Sequence, residues 1–176
     1  RKEVVRRNAL QYNFPIFYCN CVGAQTELIF DGGSLVVDSK GVVVDEFDYF
    51  IEDIKFYEIN EDNTIVQNAS YKIQDASDIQ LIHDALVCGI RDYFKKLGFK
   101  KAILGLSGGV DSALVLVLAV RALGKENVLS VLMPSKFSTS HSVDDSLKLL
   151  ETLGSPHKII PIKEVFDVYE NILQPH

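Results

Sequence analysis

The stretch Ala102-Ile103-Leu104-Gly105-Leu106-Ser107-Gly108-Gly109-Val110-Asp111-Ser112-Ala113 reads as an apolar strand, a loop of small residues and the start of an apolar helix. From Ser107 to Ser112 it holds two glycines, two hydroxyls and one carboxylate. Without a Cβ, a glycine backbone can come close to an anion. The first N–H groups of the following helix have no intrahelical partner, and the helix dipole favours negative charge there. At the carboxyl end of a strand, these features make a cradle for phosphate.

A Walker loop needs Gly-x-x-x-x-Gly-Lys-Ser/Thr, and no lysine follows these glycines. Asp111 stands where a cation would be expected, and a carboxylate beside phosphates requires a metal between them. Mg²⁺ commonly takes one or two protein carboxylates together with phosphate oxygens. The residues therefore read as a Mg-nucleotide site, with Asp111 as metal ligand and Ser107 and Ser112 as phosphate donors. An ordinary glycine turn would explain the two glycines but not the whole Ser-Gly-Gly-Val-Asp-Ser string.

That string resembles the pyrophosphate-binding loop of the N-type ATP pyrophosphatases, which include GMP synthetase, asparagine synthetase, tRNA-modifying enzymes and NAD synthetase. Members turn a substrate oxygen into an adenylate, release pyrophosphate, and let a nitrogen or sulfur nucleophile displace AMP. The candidate ATP-binding residues are Gly105, Leu106, Ser107, Gly108, Gly109, Val110, Asp111, Ser112 and Met133, with Mg²⁺ on Asp111. The loop leaves the substrate open.

A chain of 176 residues holds one ordinary domain or pieces of two. It is 47% hydrophobic and 24% charged, as soluble globular proteins are. A net charge of −6 argues against nucleic-acid binding through a basic surface. Cys19, Cys21 and Cys88 fit neither a zinc spacing nor a disulfide framework, which suits reduced thiols in the cytoplasm. The most apolar run, Ala113 to Val120, is too short to span a bilayer. The opening Arg1-Lys2-Glu3, without Met or a signal-like segment, suggests a piece of a longer protein.

Residues 1–13 read as the end of a helix and Phe14 to Cys19 as a strand. Val22 to Glu27 reads as a polar loop. Leu28-Ile29-Phe30 and Ser34 to Asp38 then form an expected hairpin about Asp31-Gly32-Gly33. Ser39-Lys40-Gly41 turns the chain into Val42-Val43-Val44, and Tyr49 to Ile59 reads as a solvent-facing strand.

The run from Tyr18 to Ser34, Tyr-Cys-Asn-Cys-Val-Gly-Ala-Gln-Thr-Glu-Leu-Ile-Phe-Asp-Gly-Gly-Ser, resembles the late part of a nitrilase-type amidase domain. That family's catalytic Glu, Lys and Cys lie upstream of this part, so none is carried over and no catalytic residue is assigned. Cys19 and Cys21 are expected to be buried small apolar side chains. From Asn60 to Ser77 the chain is polar and reads as a linker.

Asp78 to Gly98 follows a helical period, with Ile79, Ile82, Leu86, Ile90, Phe94 and Leu97 in one apolar stripe. Ser77 or Asp78 can cap its start, and His83 beside the stripe reads as a packed or surface residue. Strands Ala102–Leu106, Val128–Met133 and Ile159–Ile162 then alternate with helices Ser112–Leu123, Val143–Leu153 and one around Phe166. Such alternation specifies a parallel sheet covered on both faces, with ligands at the carboxyl ends of its strands. The loops 107–112 and 133–140 should share that rim. Ser142, three residues before Asp145, fits a capping position, and His141 reads as an exposed loop residue.

Met133-Pro134-Ser135-Lys136-Phe137-Ser138-Thr139-Ser140 and the following Ser142 and Asp145 resemble a segment of glutamine-dependent NAD synthetases, with Ser146 where that family usually has Ala. A nitrilase-type tail followed by an ATP pyrophosphatase start is that family's order. The resemblance implies an α/β fold in two incomplete parts. Residues 1–59 are the β-rich end of a nitrilase-like α-β-β-α domain and 60–77 a linker. Residues 78–176 begin a doubly wound parallel sheet of the adenine-nucleotide alpha-hydrolase type. It also implies adenylation of nicotinic acid adenine dinucleotide by ATP and amidation to NAD by ammonia from glutamine. The implied protein is a cytoplasmic homo-oligomer, with no nucleic-acid or membrane partner. Its second phosphate-contacting loop has no counterpart within 1–176, and this stretch by itself is expected to be inactive. Another amidotransferase of the GMP-synthetase kind, or a nucleotide-binding piece without catalysis, is the alternative.

Overall fold

A computed structural model describes residues 1–68, 70–138 and 140–174, with side chains at all of these but Ser140. It divides into two compact units, Arg1–Gly89 and Ile90–His176.

In the first unit, α1 (Lys2–Tyr12) precedes β1 (Ile16–Tyr18), β2 (Val22–Gln25), β3 (Leu28–Asp31), β4 (Leu35–Val37) and β5 (Val43–Glu46). An antiparallel sheet has the order β1-β4-β5, and β2 pairs with β3 separately. Val5 and Ala9 of α1 pack on Leu35 and Val37 of β4, which forms this unit's core.

The expected hairpin about Asp31-Gly32-Gly33 is not formed. Val22–Gln25, read as loop, is a strand and takes Leu28–Asp31 as partner. The reason lies in the two glycines, whose φ values are 69° and 55°. Two left-handed residues in succession carry the chain out of β3 and into the other sheet. A Cβ on Gly33 would meet the Tyr49 ring at 2.4 Å, so only glycine fits there. Tyr49–Ile59 is not a strand either: apart from single bridges at Tyr49 and Ile59, residues 50–58 run without regular pairing.

That irregular run is held by side chains on two fully buried acids of β5, Asp45 and Glu46. Asp45 accepts from Lys55 Nζ at 2.9 Å, Tyr57 OH at 2.7 Å and Lys72 N–H at 3.0 Å. Glu46 accepts from Tyr49 OH at 2.7 Å and Gln74 N–H at 3.0 Å, and pairs with Lys2 at 2.8 Å. Burial pushes the Asp45 carboxyl up, but the bonds from Lys55, Lys72 and Tyr57 outweigh it and hold its pKa below the ordinary value. Burial and the Glu46 carboxylate push the Tyr49 hydroxyl up to about 12. The polar segment after Asn60 is thus tied to β5 through Lys72 and Gln74, and Ile65 within it is buried.

Cys19 and Cys21 are exposed, contrary to expectation, while Cys88 is buried. Both exposed thiols lie on the connection between β1 and β2, outside the paired strands whose burial pattern they were expected to follow.

The helix α2 (Asp78–Leu97) is capped by Ser77, whose Oγ accepts Gln80 N–H at 3.4 Å. Its apolar stripe is largely exposed at Ile79 (72%), Ile82 (55%) and Leu86 (44%). His83 is partly buried, and its Nδ1 lies 2.7 Å from Asp84 Oδ1.

The second unit continues with β6 (Ala102–Gly105), α3 (Val110–Leu123), β7 (Val128–Leu132), α4 (Ser140–Leu153), β8 (His157–Ile159) and α5 (Lys163–Leu173). The three strands are parallel in the order β6-β7-β8. Leu116 and Ala119 of α3 and Leu150 of α4 share one core with Val128 and Leu132 of β7. Both crossover helices therefore lie on one face of the sheet. Ile103, which alternates to the other face, is 75% exposed. Among the described residues, no helix is long and apolar enough to cross a membrane.

Candidate functional site

The ladder between β6 and β7 extends one step past β6, where Leu106 N–H donates to Val131 C=O at 2.9 Å. Leu106 is buried. The chain then leaves the sheet through Ser107, Gly108 and Gly109 and enters α3 at Val110. Gly109 is the N-cap, and no side chain caps the helix there. The first N–H groups of α3 thus keep the orientation and partial positive charge that suit an anion.

The loop is shaped by its own two hydroxyls. Ser107 Oγ lies 3.0 Å from Ser112 Oγ and accepts Gly109 N–H at 3.3 Å. Ser112 Oγ accepts Ser107 N–H at 3.2 Å and donates to Gly109 C=O at 3.1 Å. Gly108 has φ 83°, and a Cβ built on it would fall 2.4 Å from Ser142 O. A side chain there is excluded by backbone conformation and by the first turn of α4 together. Asp111 stands exposed in the first turn of α3.

The two rim loops meet as expected. A cavity of about 230 Å³ is lined by Gly105, Leu106 and Ser107 on one side and by Met133, Pro134, Ser138, Ser142 and Ser146 on the other. Behind the glycines, a second cavity of about 250 Å³ is lined by Gly108, Gly109, Val110, Asp145 and Ser146. Thus Gly105 to Val110 and Met133 line these two spaces, Ser112 braces the loop, and Asp111 lies at its helical end. Thr139 and the Ser140 side chain, also part of the second rim loop, lie outside the described residues.

One reading changes here. Helix α4 begins at Ser140, so Ser142 lies within its first turn instead of at its N-cap. Ser146, which stands where the resembled family usually has Ala, is buried and donates to Ser142 C=O at 2.8 Å. It lines both cavities. Its i−4 spacing from Ser142 was the available signal, since a helical serine can bond that carbonyl. His141 is exposed, as expected.

A larger cavity, about 410 Å³, lies in the first unit between Phe17, Val22, Ile51 and Tyr57. Its walls carry Asp48, Glu52 and Asp53 against one lysine, Lys55, which already pairs with Asp45. That balance suits it poorly to a triphosphate, and the smaller cavity at the glycine loop is the better candidate despite its size.

Among the described residues, no three of His, Cys, Asp and Glu group as metal ligands. A metal at this loop would rest on Asp111 and on oxygens brought by a ligand. That donor set fits Mg²⁺, which keeps waters and takes phosphate oxygens beside one or two carboxylates.

A family model described as NAD synthase matches residues 82–176. The chain belongs to the NAD synthase family. It is 43% identical to the glutamine-dependent NAD(+) synthetase of Synechocystis sp., over 99% of this chain and 31% of that protein. Among solved structures, the glutamine-dependent NAD+ synthetase of Acinetobacter baumannii in complex with ADP matches with a TM-score of 0.93 and 34% identity, over 99% of this chain and 33% of that one. The NH3-dependent NAD synthetase of Campylobacter jejuni matches with a TM-score of 0.50 and 40% identity, over 55% of this chain and 42% of that one. The chain spans about a third of the length of its glutamine-dependent relatives, and the NAD synthase match contains both rim loops.

Proposed function

We propose that this chain supplies the ATP-binding loop of a glutamine-dependent NAD synthetase. The observation that carries the reading is the Ser107–Ser112 loop, which is braced by its own hydroxyls and opens on an uncapped helix start beside a cavity. Backbone N–H groups of Gly108 to Ser112 receive the phosphates, and the Ser107 and Ser112 hydroxyls turn from each other to donate to phosphate oxygens. Met133 and Pro134 form the opposite wall. Asp111 would hold Mg²⁺, and the ion would supply neutralisation of phosphate charge there.

In the reaction, a carboxylate oxygen of nicotinic acid adenine dinucleotide bonds to the α-phosphorus of ATP while the Pα–O–Pβ bridge breaks. Ammonia from glutamine then bonds to the activated acyl carbon, loses a proton, and AMP leaves with the former carboxylate oxygen. Residues 78–176 belong to the synthetase part, 1–59 to the glutaminase part, and 60–77 join them. The chain by itself completes neither reaction. Its place is a cytoplasmic homo-oligomer without nucleic-acid or membrane partners, a reading supported by the exposed apolar stripe on α2 and the net charge of −6.

The test is product analysis by mass spectrometry with a full-length synthetase carrying this chain. ATP, nicotinic acid adenine dinucleotide and glutamine should yield AMP and NAD in equal amounts. ADP as the nucleotide product, or no dependence on the dinucleotide, would sink the proposal.

A further inference from the structure

The rim loop that faces Ser107 is anchored from outside the cavity by α5. Lys136 Nζ donates to Glu170 Oε2 at 2.7 Å, and lies 4.6 Å from the Phe166 ring centroid and 5.2 Å from that of Phe137. The rings of Phe137 and Phe166 meet edge to face at 5.4 Å, with their planes 85° apart. Immediately before α5, Ile162 N–H donates to Pro134 C=O at 3.0 Å.

Inside the loop, residues 135–138 close on themselves. Ser138 N–H donates to Ser135 C=O at 3.2 Å, Ser138 Oγ accepts Ser135 N–H at 3.0 Å, and Ser135 Oγ accepts Phe137 N–H at 3.2 Å. A turn closed by three such bonds moves as one piece. Lys136 and Phe137 fasten it to α5, while Ser138 lines the cavity with Ser107. Where the two fastened side chains dock therefore sets where Ser138 stands.

We infer that Glu170 and Phe166 are positioning residues for the nucleotide site. They act through Lys136 and Phe137 and touch no ligand themselves; the role rests on the nucleotide reading above. The ion pair is partly exposed, at 32% and 46%, so it contributes little alone. The cation over Phe166 and the edge-to-face ring pair add to it, and Phe166 takes part in both. Removing Phe166 should therefore loosen the turn more than neutralising Glu170.

The experiment compares amide hydrogen exchange at Ser135, Phe137 and Ser138 without nucleotide, with β7 amides as the folding control, and then Mg-ATP affinity by calorimetry. Exchange should quicken about twofold in Glu170→Gln and about tenfold in Phe166→Ala, in the order the contact strengths give. Lys136→Glu, which also removes the cation over Phe166 and sets two carboxylates together, should quicken exchange more than Glu170→Gln, and the swap Lys136→Glu with Glu170→Lys should recover the part that the ion pair supplies. Mg-ATP affinity should fall in the same order. Glu170→Gln, a near-isosteric surface change, keeps the test decisive if Phe166→Ala fails to fold. Unchanged exchange in Glu170→Gln and Lys136→Glu, or a swap that recovers nothing, overturns the anchoring. Quickened exchange with unchanged Mg-ATP affinity overturns the positioning role alone. Absence of Mg-ATP binding by the unaltered protein overturns the nucleotide reading and this role with it.

Discussion

Ser107 Oγ and Ser112 Oγ lie 3.0 Å apart, so the residue entering the glycine loop is tied to the first turn of the helix leaving it. Ser112 also receives Ser107 N–H and donates to Gly109 C=O. One side chain thereby fixes both ends of the loop before any ligand arrives, and preorganised donors lose less on binding.

Ser112→Ala should therefore weaken Mg-ATP binding by about tenfold, or about 1.4 kcal/mol, while Ser112→Thr keeps most of it. Calorimetric titration of the two variants measures this. Equal weakening in both would mean that the hydroxyl is not what matters.

Gly108→Ala should destabilise the protein by at least about 2 kcal/mol, because the new Cβ meets strained backbone and α4 together. The Cβ would fall 2.4 Å from Ser142 O, which is backbone and cannot swing away. Urea unfolding checks the value; a loss under about 0.5 kcal/mol, the size of an ordinary surface change, would show that α4 gives way freely.

Ser130 of β7 and Ser155, which bonds β7, should respond in opposite ways. Ser130 is fully buried and its Oγ has no hydrogen-bond partner among the described residues, whereas Ser155 Oγ donates to Val128 C=O at 2.8 Å. An unpaired hydroxyl in a core is a net penalty, so Ser130→Ala should leave stability unchanged or raise it by up to about 1 kcal/mol. Ser155→Ala should lower it by about 1–2 kcal/mol. Thermal unfolding of the pair decides.

Much of the candidate site's geometry was legible because it is made of local backbone chemistry. The glycines, the hydroxyls and the helix start are contiguous from Gly105 to Ser112, and their meaning does not depend on what packs around them. The strand–helix alternation that brings Met133 to the same rim is equally local in origin. Long-range partners were the illegible part. Val22–Gln25 became a strand because Gly32 and Gly33 send β4 to another sheet, leaving β3 to pair backwards. Residues 50–58 looked like a strand by alternation, but Lys55 and Tyr57 reach Asp45 instead of forming a ladder. The α2 stripe has the right period, and exposure at Ile79 and Ile82 shows that period alone does not supply a packing partner.

Acid should find the first unit through Asp45. Its folded pKa lies below the ordinary 3.8, so the folded state binds that proton less readily than the unfolded chain. The stabilisation is complete above the unfolded value and drains away as pH falls through the folded one. Unfolding followed from pH 6 to about pH 2 should steepen at the acid end. Asp45→Asn should flatten that slope while lowering stability at neutral pH, because Lys55 loses its partner. A slope unaffected by the substitution would remove Asp45 from the account.

Asp111→Asn should leave folding within about 1 kcal/mol of the unaltered protein, since asparagine keeps the size and some affinity for a helix start. It should abolish the Mg²⁺ dependence of ATP binding, and in a full-length synthetase it should stop adenylation while glutamine hydrolysis survives. Loss of melting temperature with unchanged Mg²⁺ dependence would make Asp111 only an acid at a helix end.

The most direct measurement is an amide chemical-shift titration of this chain with ATP and Mg²⁺. The largest and earliest changes should fall on Gly105 to Ser112, with Met133 and Ser138 following, and the same set should respond weakly without Mg²⁺. Shifts gathered around residues 20–34, or no saturable change at the glycine loop, would contradict the assignment of the nucleotide site.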